Sequence, residues 1–424
     1  MSKTQIPSIR FRGFDDAWEQ RKLGEVIRLN GRIGFRGYTE KDIVSKDDGG
    51  VLTFSPTNIV DNKLTTNCKN TYITRFKYDE SPEIKIHNGD ILFVKTGSTL
   101  GKSALVTGLS EDATLNPQVV VMRTNNLNVE FLAAMLVTNA IISQVNSAKI
   151  GGAVPTLTET RIKDFDVAIP VSEAEKEQIG QFFSQLDHLI TLHQRKFEKL
   201  TNVKKSMLEK MFPRNGSCYP EIRFKGFTGP WEQCKLGDIS EIKTGPFGST
   251  LHADDYVSDG TPIITTEHFK TGALPRSKNG LPQVSDSDYK RLTAYTLDAG
   301  DIVFSRVGSV DINAIITPFQ SNWLFSGRVL RVRPQTDVLS QFLHTRLETE
   351  SIKTDIRTRA VGQTMPSINT EILKITPLVL PSSVAEQEQI GSYFAALDNL
   401  ITLHQRELEK LQSIKKALLE KMFV

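Results

Sequence analysis

Two stretches of the chain alternate apolar and polar positions by steps of four and three without a break. The first runs Ile179, Phe183, Leu186, Ile190, His193, Phe197, Leu200, Lys204, Met207 and Met211. The second runs Ile390, Phe394, Leu397, Ile401, His404, Leu408, Leu411, Lys415, Leu418 and Met422. An average spacing of about 3.5 residues is that of a coiled-coil seam. Pro170 and Pro381 block backward extension, and Ser172 with Glu175, like Ser383 with Glu386, has capping-box spacing. From Ser172 to Met211 is a helix of about 60 Å at 1.5 Å per residue. Glu173, Glu175 and Glu177 at its start and Lys204, Lys205 and Lys210 near its end complement the helix dipole.

Elsewhere the pattern is β-like, with runs such as Val119-Val-Val-Met122 and Thr261-Pro-Ile-Ile-Thr-Thr266 broken by Gly, Asn, Asp and Pro. Helical patches intervene at Val129–Leu136 and Val338–Leu347, where apolar residues fall three and four apart. The chain is therefore α+β.

The two rods are copies. Leu186–Leu200 and Leu397–Leu411 differ at only three of fifteen positions. The repeat reaches further: Ile9-Arg-Phe-Arg-Gly-Phe14, Trp18-Glu-Gln and Leu23-Gly24 return 213 residues later, and Gly89-Asp-Ile-Leu-Phe93 returns as Gly300-Asp-Ile-Val-Phe304 at an offset of 211. Between these anchors, at about 26–88 and 239–299, the halves hardly resemble each other. One scaffold thus presents two different surfaces. Four segments follow: 1–171, a helix at 172–212, 213–382, and a helix at 383–424. A whole domain separates the rods, so an antiparallel pair with internal pseudo-twofold symmetry, a dumb-bell, is the economical arrangement.

Composition adds little. A net charge of +3 neither demands nor excludes a polyanion, and a hydrophobic share of 39% supports packed cores. Cys68, Cys218 and Cys234 lack metal-ligand spacing and fit free thiols in a reducing compartment. No signal-peptide pattern and no apolar run of roughly 20 residues is present, so a cytoplasmic protein without a membrane span is expected.

No catalytic constellation emerges. Gly97-Ser-Thr-Leu-Gly-Lys-Ser103 is one residue short of a P-loop, and its counterpart Gly308–Ala314 lacks the second glycine and the lysine; a tight turn is expected. No zinc-protease or nucleophile-elbow motif occurs, no metal site is expected, and Asn116-Pro-Gln118 misses the adenine-methyltransferase pattern. His193 and His404 read as polar seam residues that, with Lys204 and Lys415, fix register. Basic, hydroxyl and aromatic residues on loops instead suggest contact with a phosphate backbone. The candidates are Arg32, Arg36, Tyr38, Lys63, Lys69, Lys95, Ser98 and Lys102 in the first half. In the second they are Lys243, Thr244, Phe247, Ser249, Lys270, Arg276, Lys278, Arg306 and Ser309. Lys95 and Arg306 each follow a Gly-Asp-Ile strand and precede a Gly-Ser turn, where backbone can approach closely.

The layout of variable region, Gly-Asp-Ile strand, proline-ended segment, Glu-Gln-Ile-Gly helix start (Glu177–Gly180 and Glu388–Gly391) and Leu-Asp-x-Leu-Ile heptads, all given twice, resembles the specificity subunit of type I restriction–modification systems. The resemblance implies that 1–171 and 213–382 are target recognition domains, each reading one half of a split sequence in double-stranded DNA. It implies that the helices set the unread gap and dock two modification (methyltransferase) subunits, through which restriction (translocase and endonuclease) subunits join. S-adenosylmethionine, ATP and Mg²⁺ would belong to those partners, with no cofactor and no catalysis on this chain. The alternative is a stand-alone DNA nuclease or methyltransferase with diverged motifs.

Overall fold

The strands expected from the apolar runs form, and most are buried on both faces. The computed structural model describes residues 6–214, 216–246, 251 and 255–424. They divide into two compact units, Met1–Gln194 with Arg406–Val424, and Arg195–Gln405. The cut falls inside both long helices, so each unit owns the start of one and the end of the other.

In the first unit an antiparallel sheet runs in the order Ile27–Gly31, Val119–Thr124, Ile91–Val94, Ser103–Leu105. In the second the order is Ser240–Thr244, Val329–Pro334, Ile302–Ser305, Asn313–Ile315. The equivalent pairing of Arg123 with Asp90 and of Arg333 with Asp301 shows that the 211-residue offset slips to 210 over the Val119 and Val329 strands.

Period-two alternation then sorts side chains into two layers. Ile91, Phe93, Val120 and Met122 face helices Val129–Leu136 and Asn139–Ala148, while Leu92, Val94, Val119 and Val121 face a second layer. Ile302, Phe304, Leu330 and Val332 against Val303 and Val329 repeat the division. The helix-facing layer has the same strands and helices in both units. The other layer combines strands of the divergent segments, Thr71–Ile73 and Val51–Phe54 in the first unit and Tyr256–Val257, Gln283–Val284 and Thr261–Ile264 in the second, with Ala113–Leu115 and Leu324–Phe325 from beyond them. Val51–Phe54 pairs in parallel with Ala113–Leu115, as Thr261–Ile264 does with Leu324–Phe325, so a common seed carries unlike additions. The proline-ended segments are strands too, Asp166–Ile169 pairing with Glu19–Lys22 and Pro377–Leu380 with Glu232–Lys235.

The long helices span Glu173–Lys210 and Val384–Met422. Within the first unit Phe183 meets Phe423 and Asp187 meets Lys415 at 2.6 Å, so partner numbers fall as residue numbers rise. Within the second, Lys204 meets Asp398 at 2.7 Å and Phe212 meets Phe394. The two stretches therefore run antiparallel in each unit. Lys204 and Lys415 do pin register, through carboxylates, and Lys204 also reaches Glu348 at 2.7 Å. The seam differs from the even stripe expected. Ile179, Phe183, Ile390, Phe394 and Leu397 sink into the domain cores, Leu186, Ile190 and Leu408 form a small cluster with Leu411, and His193, Phe197, Leu200, Ile401 and His404 are only half-buried.

The capping boxes are half as expected. Ser172 and Ser383 accept the backbone N–H of Glu175 and Glu386, both at 3.4 Å. The glutamates do not reach back to the backbone. Glu175 accepts Arg10 Nε and Nη2 at 2.6 and 2.8 Å and Trp18 Nε1 at 3.3 Å. Glu386 accepts Arg223 at 2.7 and 2.8 Å and Trp231 at 3.3 Å. The same N-terminal segments donate from Ile9 to Lys421 O and from Ile222 to Lys210 O, both at 2.9 Å, and so tie a helix start to a helix end. This explains why the Ile-Arg-Phe and Trp-Glu-Gln words are repeated.

Among the described residues no single helix is long and apolar enough to cross a membrane, and the three cysteines are free. Burial pushes the Cys234 thiol up to about 11.

Two outcomes follow from these contacts. Glu175→Ala strands the Arg10 guanidinium and lowers stability by about 3–5 kcal/mol in denaturant titration, whereas the double change Arg10→Met with Glu175→Leu costs much less. His344, with neither ring nitrogen hydrogen-bonded, lies buried beside Glu348, Lys204, Asp398 and Lys353, and burial holds it below its ordinary pKa. The unfolded state then binds the extra proton, so stability falls as pH drops through about 6.5. The matching position in the first unit is Ala133, and His344→Ala should flatten that decline in melting temperature between neutral and mildly acid pH.

Candidate nucleic-acid interface

Each shared sheet delivers the same pair of loops to its edge. The strand Ile91–Val94 turns back through Gly97–Lys102 into Ser103–Leu105, a hairpin with no helix behind it, so the P-loop resemblance does not extend to the fold. Gly97 has φ +109° and Gly308 φ +84°, a left-handed conformation that other residues adopt at a cost. The Gly97 N–H donates to Pro155 O at 2.9 Å and Leu157 N–H to Lys95 O at 2.8 Å. In the second unit Gly308 N–H donates to Pro366 O at 2.8 Å and Ile368 N–H to Arg306 O at 2.9 Å. A second hairpin, 150–156 or 361–367, is thereby fastened to each turn, closed by paired backbone bonds between Ile150 and Thr156 or Val361 and Ser367. Sequence patterning marked these segments only as the approach to a proline-ended strand. Their matched Val154-Pro and Met365-Pro words were the available signal.

Part of the first set of candidate residues gathers here. Lys95 N–H donates to Gln118 O at 2.8 Å, and Asn116 Nδ2 to the Tyr38 hydroxyl at 3.1 Å, which joins Tyr38 and Lys95 to the 116–118 loop, with Ser98 and Lys102 on the turn that follows Lys95. Ser98 is exposed and Lys102 half-buried, while the Lys95 ammonium pairs with Glu159 at 3.2 Å. Asn116 and Gln118, which the sequence offered only as a missed motif, thus stand beside the turn.

Arg32 is a correction. It is only 6% exposed, and it donates to Leu115 O at 2.9 Å and Thr114 Oγ1 at 3.0 Å while lying over the Tyr38 ring. Burial lowers its pKa, and its guanidinium ties two strands together instead of facing outward on a loop. Lys63 is likewise committed, donating to Thr191 Oγ1 of the central helix at 2.6 Å. Arg36 pairs with Glu83 at 3.4 Å, and Lys69 is exposed.

In the second unit Arg306 donates to Ile368 O at 3.3 Å and Gly327 O at 3.1 Å, and its N–H to Arg328 O, so exposed Arg328 occupies the place of Gln118. Gly245 N–H donates to Val329 O, which brings Lys243 and Thr244 to the same edge; Lys243 caps Ala294 O at 2.9 Å and lies over Tyr295. Ser309 is exposed on the turn. Lys270 and Lys278 are exposed and pair with Glu267 and Asp259, and Arg276 is exposed on the same segment. Phe247 and Ser249 lie outside the described residues. Among the described residues no group of three or more His, Cys, Asp or Glu could hold a metal ion.

Comparison with known proteins agrees with this duplicated design. The family model for the type I restriction modification DNA specificity domain matches twice, over residues 15–202 and 229–413. The type I restriction enzyme MjaVIII specificity subunit of Methanocaldococcus jannaschii is 21% identical over 95% of this chain and 91% of its own length. The putative type I restriction enzyme MjaX specificity subunit of the same organism is 23% identical over 98% and 94%. The crystal structure of the type I restriction–modification S subunit from M. genitalium shares the fold, with a TM-score of 0.66 over 99% of both chains at 13% identity. With two matching domains covering most of its length, the chain belongs to the type I restriction–modification DNA specificity family, as a non-catalytic subunit that recognises DNA.

Proposed function

We propose that the chain reads a bipartite duplex, one half-site per unit, with 1–171 and 213–382 as the two target recognition domains. The observation that carries this reading is the turn-and-hairpin pair, kept alike in both units while the second layer behind it differs. A common loop frame beside unlike surfaces suits a common phosphate backbone beside unlike base sequences. Asn116, Gln118 and Arg328 are of the side-chain types that pair with adenine or guanine edges. Lys69, Ser98, Arg276 and Ser309, all exposed, and half-buried Lys102 are the side chains of this reading that meet phosphates.

The long helices set the unread gap and dock the modification subunits. Leu189 and Leu192 in the first unit, and Leu400 and Leu403 in the second, are exposed at equivalent places in the repeated stretch. Two identical apolar faces suit two copies of one partner. Restriction subunits join through that core, S-adenosylmethionine, ATP and Mg²⁺ are held by the partners, and the assembly works in the cytoplasm.

Binding of the full chain to duplex DNA should weaken linearly in log affinity against log salt. Lys102→Ala should lower that slope by about one without changing the melting temperature, whereas Arg32→Ala should lower the melting temperature and leave the slope unchanged. A salt-independent affinity would count against a DNA interface. Replacing 1–171 by a different recognition domain should change one half-site of the methylation pattern and leave the other intact.

A further inference from the structure

The hairpins 150–156 and 361–367 carry a feature that phosphate contact does not explain. Ile150 and Val154 are 50% and 60% exposed, and Val361 and Met365 are 68% and 67% exposed. These are the same two loop positions in both units, 211 residues apart, apolar each time though never the same residue.

The mount is stiff. Paired backbone bonds of 2.8–2.9 Å close each hairpin, and another fastens it to the Gly97 or Gly308 turn. Gly151 and Gly362 have φ of +89° and +101°, and a Cβ on either would come within 2.9 Å of the carbonyl oxygen of Val154 or Met365. Each tip is therefore held in one shape by a glycine that no other residue replaces without strain. Lys149 and Arg161 flank the base of the first hairpin, and Arg357 and Arg359, paired with Asp311 and Asp355, flank the second.

We propose that each hairpin is an apolar wedge that presses between neighbouring base pairs of bound duplex DNA, one wedge per half-site. This rests on the DNA reading above. A wedge needs bulk and no hydrogen-bond pattern, so it tolerates Ile for Val and Val for Met and serves half-sites of different sequence. A base-edge reader would differ between the units in polar groups instead. Exposed Lys149 beside the first hairpin and the exposed Ser98 and Ser309 on the two adjoining turns favour a polyanion over a protein surface as the occupant. Local unstacking also suits a DNA whose target base is to be taken out of the helix for chemistry.

The test uses the full chain, a random-sequence duplex pool, and the fourfold variant I150S, V154S, V361S, M365S. These side chains are exposed, so an unchanged melting temperature verifies folding. Permanganate reactivity reports unstacked thymines. The parent should raise that reactivity on binding. The variant should abolish the increase and bind about tenfold more weakly, with the same salt slope. A variant that binds and unstacks like the parent overturns the wedge while a steep salt slope preserves the DNA reading. Loss of salt-dependent binding in the parent itself overturns both.

Discussion

Phe212 and Phe423, just beyond or at the ends of the two long helices, fill equivalent holes in the two units. Phe423 lies against Trp18, Phe131 and Phe183, and Phe212 against Trp231, Phe342 and Phe394. Each core is therefore completed by the end of a helix that begins in the other unit. Burying a phenylalanine contributes roughly 1.5–3 kcal/mol, and removing it from a packed site costs more because a cavity remains. The Arg10–Glu175 and Arg223–Glu386 pairs lock the neighbouring helix starts at the same place. Neither helix can slide without emptying a core or stranding a buried charge.

Around this frame the second constraint is the double-sided sheet. Because Ile91 and Phe93 face one way and Leu92 and Val94 the other, one layer can keep its helices and its grip on the rods while the other is rebuilt. The second unit has also changed on the conserved side. Helix Ser340–Leu347 carries buried His344 and Arg346 where the first has Ala133 and Met135, and burial pulls the Arg346 pKa down to about 10. Arg346 lies over Phe212 instead of meeting a carboxylate, so this half of the scaffold tolerates polarity that its twin avoids.

Much of this was legible in the sequence because it lies in local periodicity and in repetition. The heptads marked both helices, the Gly-Asp-Ile words marked an inner strand of each shared sheet, and the repeated words identified the duplicated unit. What was not legible depends on partners distant in the chain. Glu175 reads locally as a capping residue, and only folding brings Arg10 to it across 165 positions. Arg32 reads as a loop cation, yet the third strand of another sheet supplies its acceptors at Thr114 and Leu115. Lys63 meets a helix more than a hundred residues on. Ile179 and Phe183 fit a helix seam by spacing, but the domain core claims them because it approaches that face first. Ile150 and Val154 gave no periodic signal, since a short loop has no period. Their meaning came from exposure and from the matching pair in the other unit.

We propose that the two long helices set the gap between the half-sites that the two units read. Adding seven residues to each helix preserves the heptad register and lengthens each rod by about 10 Å, the rise of about three base pairs. Methylome sequencing of cells carrying this variant with its modification and restriction partners is the direct measurement. The account predicts both half-sites unchanged and the gap between them longer by about three base pairs. An unchanged gap, with methylation intact, would contradict it.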